Sequence, residues 1–300
     1  KIFIMKNSGI NRRNAIKGLA AGTSAAFFSN SMINSINAKE KMNNLKLKGN
    51  IKQSVCSWCF PMLSLEELAI EGKRMGLMGI DLVNPKGFST LKKHGLESTL
   101  STPEKYSLSE GWNKKENHNG LIETYSKVID VVADAGYKSL FCASGNTFGM
   151  DIEIGIKNCE IGIKKILSKA EKRNVTLVME LLNSKVNHPD YMLDKSEIGI
   201  ELSKKIGSEN FKLLYDIYHM QIMEGDIIST IKKNHQYFGH YHTAGVPGRN
   251  ELNKNQELYY PAIMDAILST GFTGYVAQEF MPKGKDPIKS LEDAVILCDV

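Results

Sequence analysis

Val175-Thr176-Leu177-Val178-Met179-Glu180-Leu181-Leu182 is apolar on both faces of an extended chain, with one carboxylate near its end. A half-solvated strand would alternate. This run fits a strand covered on both sides, as in a parallel sheet buried under helices. The chain beyond Leu182 keeps the same rhythm. Residues 195–206 have helical apolar spacing and stop at Gly207, and 211–217 read as a strand. Then come a helix over 225–233, a strand over 237–243 and a helix over 258–270, stopped by Gly271. A strand over 274–280 and a helix over 287–300 complete the second half. Glycine just past each periodic run is the usual helix stop.

The first half repeats the pattern less clearly. Residues 51–57 are strand-like, and 63–75 carry Leu65, Leu68, Ala69 and Met75 at helical spacing. Residues 79–83 form a strand closed by Asn84-Pro85. The polar stretch 90–118 accommodates a short helix, a strand near 97–100 and a long loop. An amphipathic helix over 120–135, a strand over 139–143 and a helix over 154–172 come next; Ile156, Ile163, Ile166 and Leu167 form the stripe of the last. About eight strand–helix units without a glycine-rich phosphate loop favour an α/β TIM (β/α)8 barrel over a doubly wound sheet. One domain over residues 45–300 fits the usual barrel length of about 250 residues.

With 42% hydrophobic and 24% charged residues among 300, the composition is that of a globular chain. The net charge of +5 comes without a basic run, so nucleic acid binding has no electrostatic footprint. Five cysteines, Cys56, Cys59, Cys142, Cys159 and Cys298, are an odd set at irregular spacing. They do not make a disulfide framework. Cys56-Ser-Trp-Cys59 has redox spacing but lacks a second pair for a zinc ribbon, and buried reduced thiols are expected.

Residues 1–44 differ in kind. Asn11-Arg12-Arg13-Asn14 precedes the small, weakly apolar stretch 15–28, too short to span a membrane. This reads as a twin-arginine-like export leader, with cleavage plausible after Ala38. The expected location is periplasmic, or cytoplasmic if the leader is not functional. No other segment is apolar enough to span a membrane.

Polar groups gather at the ends of the later strands: Glu180, Asp216, the pair His240 and His242, and Glu279. In a TIM barrel, strand C-terminal ends converge on one face. Converging carboxylates repel unless a cation holds them. Three carboxylates and one imidazole suit one divalent ion, Mn²⁺ or Mg²⁺ before Co²⁺ or Zn²⁺. His240 and His242 share a strand face, and one of them is expected as ligand, the other behind it or facing substrate. Trp58 ends the first strand and walls the pocket or packs in the core. His118 reads as a pocket or helix-start residue. Asn84, Ser144 and Asn146 come after strands, where ordinary loop roles are the stronger expectation. The 13 methionines form no stripe.

The segments 54–60 (Ser-Val-Cys-Ser-Trp-Cys-Phe), Glu180-Leu181-Leu182-Asn183, Asp216-Ile217-Tyr218-His219 and 240–249 (His-Tyr-His-Thr-Ala-Gly-Val-Pro-Gly-Arg) together resemble hydroxypyruvate isomerases. These belong to the xylose-isomerase-like TIM barrels, alongside the tagatose and psicose 3-epimerases. The resemblance runs from about residue 49 to 300. It implies that Glu180 and Glu279 both bind metal and shuttle the proton, with Asp216 and His242 as the remaining ligands. It implies further that His219 and Arg249 contact substrate and that His188 lies in a matching loop.

The chemistry is consistent with that. Moving a carbonyl by one carbon requires taking a proton beside it and returning it to the neighbour through a metal-stabilised cis-enediolate. Arg249 could grip a substrate carboxylate with both prongs. The expected activity is an intramolecular isomerisation of a small carbohydrate or hydroxy-keto acid. A ketose 3-epimerase, an inosose-type dehydratase and a non-catalytic sugar-binding barrel are the alternatives. An endonuclease-IV-like enzyme needs more histidine ligands than the seven histidines supply near strand ends. The substrate, the metal and whether the chain forms a homo-oligomer stay open.

Overall fold

The computed structural model describes residues 44–300. The leader read over 1–44 lies, apart from Asn44, outside them.

Eight parallel strands close on themselves in sequence order: β1 (Lys52–Cys56), β2 (Gly79–Val83), β3 (Glu97–Ser101), β4 (Ser139–Cys142), β5 (Thr176–Glu180), β6 (Phe211–Asp216), β7 (Phe238–Thr243) and β8 (Tyr275–Gln278). The barrel closes between β8 and β1, with Ser54 opposite Ala277. Nine α-helices lie among the described residues. They are α1 (Leu65–Arg74), α2 (Phe88–Lys93), α3 (His118–Asp134), α4 (Ile152–Arg173), α5 (Ser196–Ile206), α6 (Ile217–Met223), α7 (Ile227–Asn234), α8 (Tyr260–Ser269) and α9 (Pro287–Leu297).

Local chemistry sets the boundaries. Ser64 and Glu67 make a reciprocal capping box at the start of α1. Asp151 caps α4, and Asn174 closes that helix in the left-handed conformation that also places Gly207 after α5. Asp286 caps α9 with Pro287 in its first turn. Gly79 opens β2 because a Cβ there would lie 2.3 Å from the Glu97 carbonyl oxygen of β3.

Two expectations shift. The run 175–182 ends as a strand at Glu180, since the Leu182 N–H turns away to the Leu193 carbonyl. Glu180 is therefore the last residue of β5, and the strand is two residues shorter than its apolar run. The expected strand over 211–217 stops at Asp216, whose side chain accepts the His219 N–H and starts the seven-residue α6.

The core has two parts. The larger lies between the strands and the helices and includes Leu68, Ile129, Ile163, Leu202, Ile267 and Leu291. The smaller lies within the barrel: Leu100, Phe141, Ala143, Val178 and Leu214, from β3 to β6. On the opposite side of the barrel, β1, β2, β3 and β7 contribute buried Ser54, Asp81, Thr99, His240 and His242. The interior is thus apolar on one side and hydrogen-bonded on the other. No helix among the described residues is long and apolar enough to cross a membrane.

Candidate metal centre

The register of β6 and β7 pairs Asp216 with His242, and that of β7 and β8 pairs His242 with Ala277, two residues before Glu279. With Glu180 ending the neighbouring β5, the four groups share the C-terminal face. Each of Glu180, Asp216, His242 and Glu279 offers a ligand atom, all within 4.8 Å of one another, and all four residues are buried. The His242 Nδ1 lies 2.9 Å from Glu279 Oε2 and 3.4 Å from Glu180 Oε1.

The charges in this cluster do not balance. Burial raises the pKa of Glu180 above the ordinary value, and the Glu279 charge adds to the effect. Burial and then Glu279 push Asp216 well above its usual range. Burial acts the same way on Glu279, but Arg249 and His242 overcome it and hold that carboxyl well below its usual range. Burial opposes a charge on His242; Cys56, Glu279 and Asp81 outweigh it and hold its pKa up. Burial keeps Cys56 itself a neutral thiol, so the two carboxylates are the partners that matter.

Glu180 Oε1 is buried and accepts no hydrogen bond. An unsatisfied carboxylate oxygen facing two further carboxylates and an imidazole nitrogen is the donor set of a hard or borderline divalent cation. The residues present fit such an ion.

Arg249 lies beside the cluster. Its Nη2 reaches Glu279 Oε2 in a short ion pair and stands 3.5 Å from Asp216 Oδ2. The guanidinium lies 5.0 Å from the Trp58 ring centre and 5.5 Å from that of Tyr218. Trp58 does more than wall the pocket: its Nε1 donates 2.9 Å to Glu279 Oε1. His219 is fully buried, and its Nδ1 accepts from the Asn183 backbone N–H at 3.1 Å and from its side-chain amide at 2.6 Å. The proton is thereby directed to Nε2, 3.5 Å from Asp216 Oδ2. Burial and Arg249 keep His219 neutral by lowering its pKa well below the usual value. His188 packs edge-on against His219, ring centres 5.3 Å apart.

A cavity of about 280 Å³ opens over these groups, lined by Trp58, Leu82, Tyr106, Leu108, Phe141, Glu180, Leu182, His188, Arg249 and Glu279. Carboxylates, imidazole and guanidinium face an apolar and aromatic wall. A larger cleft of about 510 Å³ is lined by Glu251, Lys254, Lys283 and Asp293 among others, and by none of the four converging groups.

Of the residues named as pocket or substrate candidates, His118, His240, Asn146 and His219 do not line the smaller cavity. His118 begins α3 and its Nε2 bonds the Trp112 carbonyl at 2.9 Å, packed against Gly162 of α4. His240 lies one inward position earlier on β7 than His242 and is 2.6 Å from Asp81. Asn146 donates to the Pro189 carbonyl at 3.2 Å and ties two loops together. Asn84, expected in a loop role, caps a short turn by accepting from the Lys86 N–H. All five cysteines are buried and free.

Asp81 is a contributor that the sequence reading passed over. It sits within Gly79-Ile80-Asp81-Leu82-Val83, and a carboxylate in an apolar strand is the signal that singled out Glu180.

A family model described as xylose isomerase-like TIM barrel matches residues 89–295. A 2-oxo-tetronate isomerase of Cupriavidus necator is 33% identical over 114 residues, 38% of this chain and 43% of that protein. A putative hydroxypyruvate isomerase of Homo sapiens is 32% identical over 114 residues, 38% of this chain and 41% of that protein. The matches thus span less than half the length of these curated relatives. Among solved structures, an AP endonuclease, family 2, of Brucella melitensis superposes with a TM-score of 0.70 at 23% identity, covering 82% of this chain and 97% of that one. At that identity the likeness speaks for the fold alone.

Proposed function

This chain belongs to the xylose isomerase-like TIM barrel family, and within it we propose a metal-dependent isomerase of the hydroxypyruvate isomerase type. The observation that carries the reading is the convergence of Glu180, Asp216, His242 and Glu279 on one point beneath a cavity of about 280 Å³. These four residues would hold the ion, Mn²⁺ or Mg²⁺ by the hardness of the donors. Bound there, it would polarise a substrate carbonyl and the adjacent hydroxyl.

The chain's own residues do the rest. One of the two glutamates takes a proton from the carbon bearing the hydroxyl, giving an enediolate across the two carbons, and the hydroxyl proton passes to the former carbonyl oxygen. The other returns a proton to the former carbonyl carbon, and the first hydroxyl becomes the new carbonyl. The formula is unchanged: one carbon is oxidised and its neighbour reduced. Glu180 and Glu279 have environments that push their pKa values in opposite directions, which suits an acid–base pair. By the family resemblance His219 would donate its Nε2–H to a substrate oxygen. Arg249 favours a carboxylated substrate, and the small cavity favours a short one. The apolar wall from Tyr106, Leu108 and Phe141 limits water. The Arg12-Arg13 leader supports export of the folded chain, to be checked by fractionation.

The test is metal analysis of the purified chain, with turnover of hydroxypyruvate and of a ketose panel by wild type and Glu180→Gln. Bound divalent metal and hydroxypyruvate turnover lost in the variant are expected. Turnover confined to ketose C3 or to water loss would make it an epimerase or a dehydratase. A metal-free protein with an equally active variant would sink the reading.

A further inference from the structure

We propose that Asp81 is a positioning residue for the metal centre: it holds the Nε2–H of His242, so that Nδ1 is the nitrogen left for the ion that Glu180, Asp216 and Glu279 would share. This rests on the metal reading above.

Asp81 is completely buried in β2. Its Oδ1 accepts the Ser54 hydroxyl at 2.8 Å and the Thr99 hydroxyl in a short bond. Its Oδ2 stands 2.6 Å from His240 Nε2 and 3.0 Å from His242 Nε2. Four donors saturate a carboxylate's lone pairs, so the ion is stable although wholly desolvated. One of the four donors is the imidazole that faces the site.

A histidine ring has two nitrogens, and a hydrogen bond at one decides what the other can do. Here Nδ1 faces Glu279 and Glu180, while among the described residues the only carboxylate at Nε2 is Asp81. The other neighbour of Nε2 is the Cys56 sulfur at 3.7 Å, a far weaker acceptor. Without Asp81, no strong acceptor among the described residues would keep the proton at Nε2.

The backbone is shaped for this. The β2–β3 register shifts on both sides of Asp81. Leu82 next to it takes φ 57°, the left-handed region that a leucine adopts only under constraint. Irregular strand geometry of this kind re-aims a side chain and clusters at working sites. A purely structural carboxylate would require neither the irregularity nor a partner that is itself a candidate ligand.

The experiment uses the full chain, stripped of metal and titrated with Co²⁺ while the visible absorption is followed. Side-chain ¹H–¹⁵N spectra of labelled histidine are taken with and without Zn²⁺. In the wild type a His242 Nε2–H resonance is expected in both states. Asp81→Asn is expected to weaken Co²⁺ binding about 10–100-fold, to change the Co²⁺ spectrum, and to lose the resonance. Because Asp81 is so deeply buried, the double variant Ser54→Ala/Thr99→Val is a gentler second probe. It should weaken Co²⁺ binding several-fold with the fold intact. Glu180→Gln should lose Co²⁺ affinity and keep the resonance. Unchanged Co²⁺ affinity and an unchanged resonance in either Asp81→Asn or the double variant would overturn the proposal. A wild type that shows the resonance but binds no Co²⁺ would bring down the metal reading and the metal-positioning role, leaving only the hydrogen bond.

Discussion

The Trp58 indole N–H donates a 2.9 Å hydrogen bond to Glu279 Oε1, so the turn after the first strand orients the carboxylate at the end of the eighth. Glu279 Oε2 is taken by His242 and Arg249. Trp58→Phe would keep a ring in the wall and release one oxygen. A hydrogen bond to a charged group contributes about 1.5–3 kcal/mol, and the 43% exposure of Trp58 puts this one at the low end. A fall in kcat/KM of about ten-fold is expected, together with a stability loss of about 1.5 kcal/mol. Steady-state kinetics decide it: a fully active Trp58→Phe removes the indole from the machinery.

Glu180 gives a pH signature. Burial and the Glu279 charge raise its folded pKa, so the folded chain holds this proton more tightly than the unfolded one. Stability then falls as pH rises from the ordinary carboxylate value of about 4.3 through the raised folded value. Glu180→Gln lacks that slope. In metal-free protein, the wild type should match the variant in acid and drop below it towards neutral pH. Adding divalent metal at about 100 times its Kd should return about 2.7 kcal/mol to the wild type and little to the variant. Denaturant melts from pH 4 to 8 measure this; parallel profiles would contradict it.

How far the sequence carried the site depends on what each residue's neighbours announce. Glu180, Asp216 and Glu279 were legible because a charge at the end of an apolar run has few bland explanations. The period of two in His240-Tyr241-His242 put both imidazoles on the inner face. Only the β6–β7 register, Leu214 opposite His240 and Asp216 opposite His242, says which one joins the three carboxylates. Asp81 carried the same signal as Glu180, but in a strand of five residues bounded by Asn-Pro that read only as a strand. Helix α6 has seven residues, too few for an apolar period, and is declared only by the Asp216 cap. His118 had no signal of direction at all. Its partners Trp112 and Gly162 come together only when α4 packs beside it.

That packing makes a prediction of its own. A Cβ on Gly162 would lie 2.7 Å from Trp112 Cε3 and 2.8 Å from His118 Nε2. Gly162→Ala must push aside a buried indole, and overpacking of this kind costs about 1–3 kcal/mol. His118→Ala leaves a void and an unpaired Trp112 carbonyl, with a loss of similar size. Both variants should melt several degrees lower and keep KM unchanged. A raised KM for His118→Ala at full stability would return that residue to the pocket.

Arg249 separates charge from shape. It sits at φ 58° beside Gly248 at φ 95°, and its guanidinium reaches Glu279 and, at 3.5 Å, Asp216. Lysine keeps the charge but lacks the planar fork. Arg249→Lys is therefore expected to raise KM for a carboxylated substrate about ten-fold or more and to change KM for a neutral ketose much less. Arg249→Met goes further, leaving Glu279 without its main counter-charge. Breaking a buried pair by removing one partner costs about 3–5 kcal/mol. The depressed Glu279 pKa contributes stability above the unfolded carboxylate value, and that contribution is lost as pH falls through the folded value. In metal-free protein the wild type's margin over Arg249→Met should accordingly be full at neutral pH and shrink on acidification, opposite in slope to the Glu180 comparison. Equal KM changes for both substrate classes in Arg249→Lys would mean that the arginine serves the carboxylates of the site and not one on the substrate.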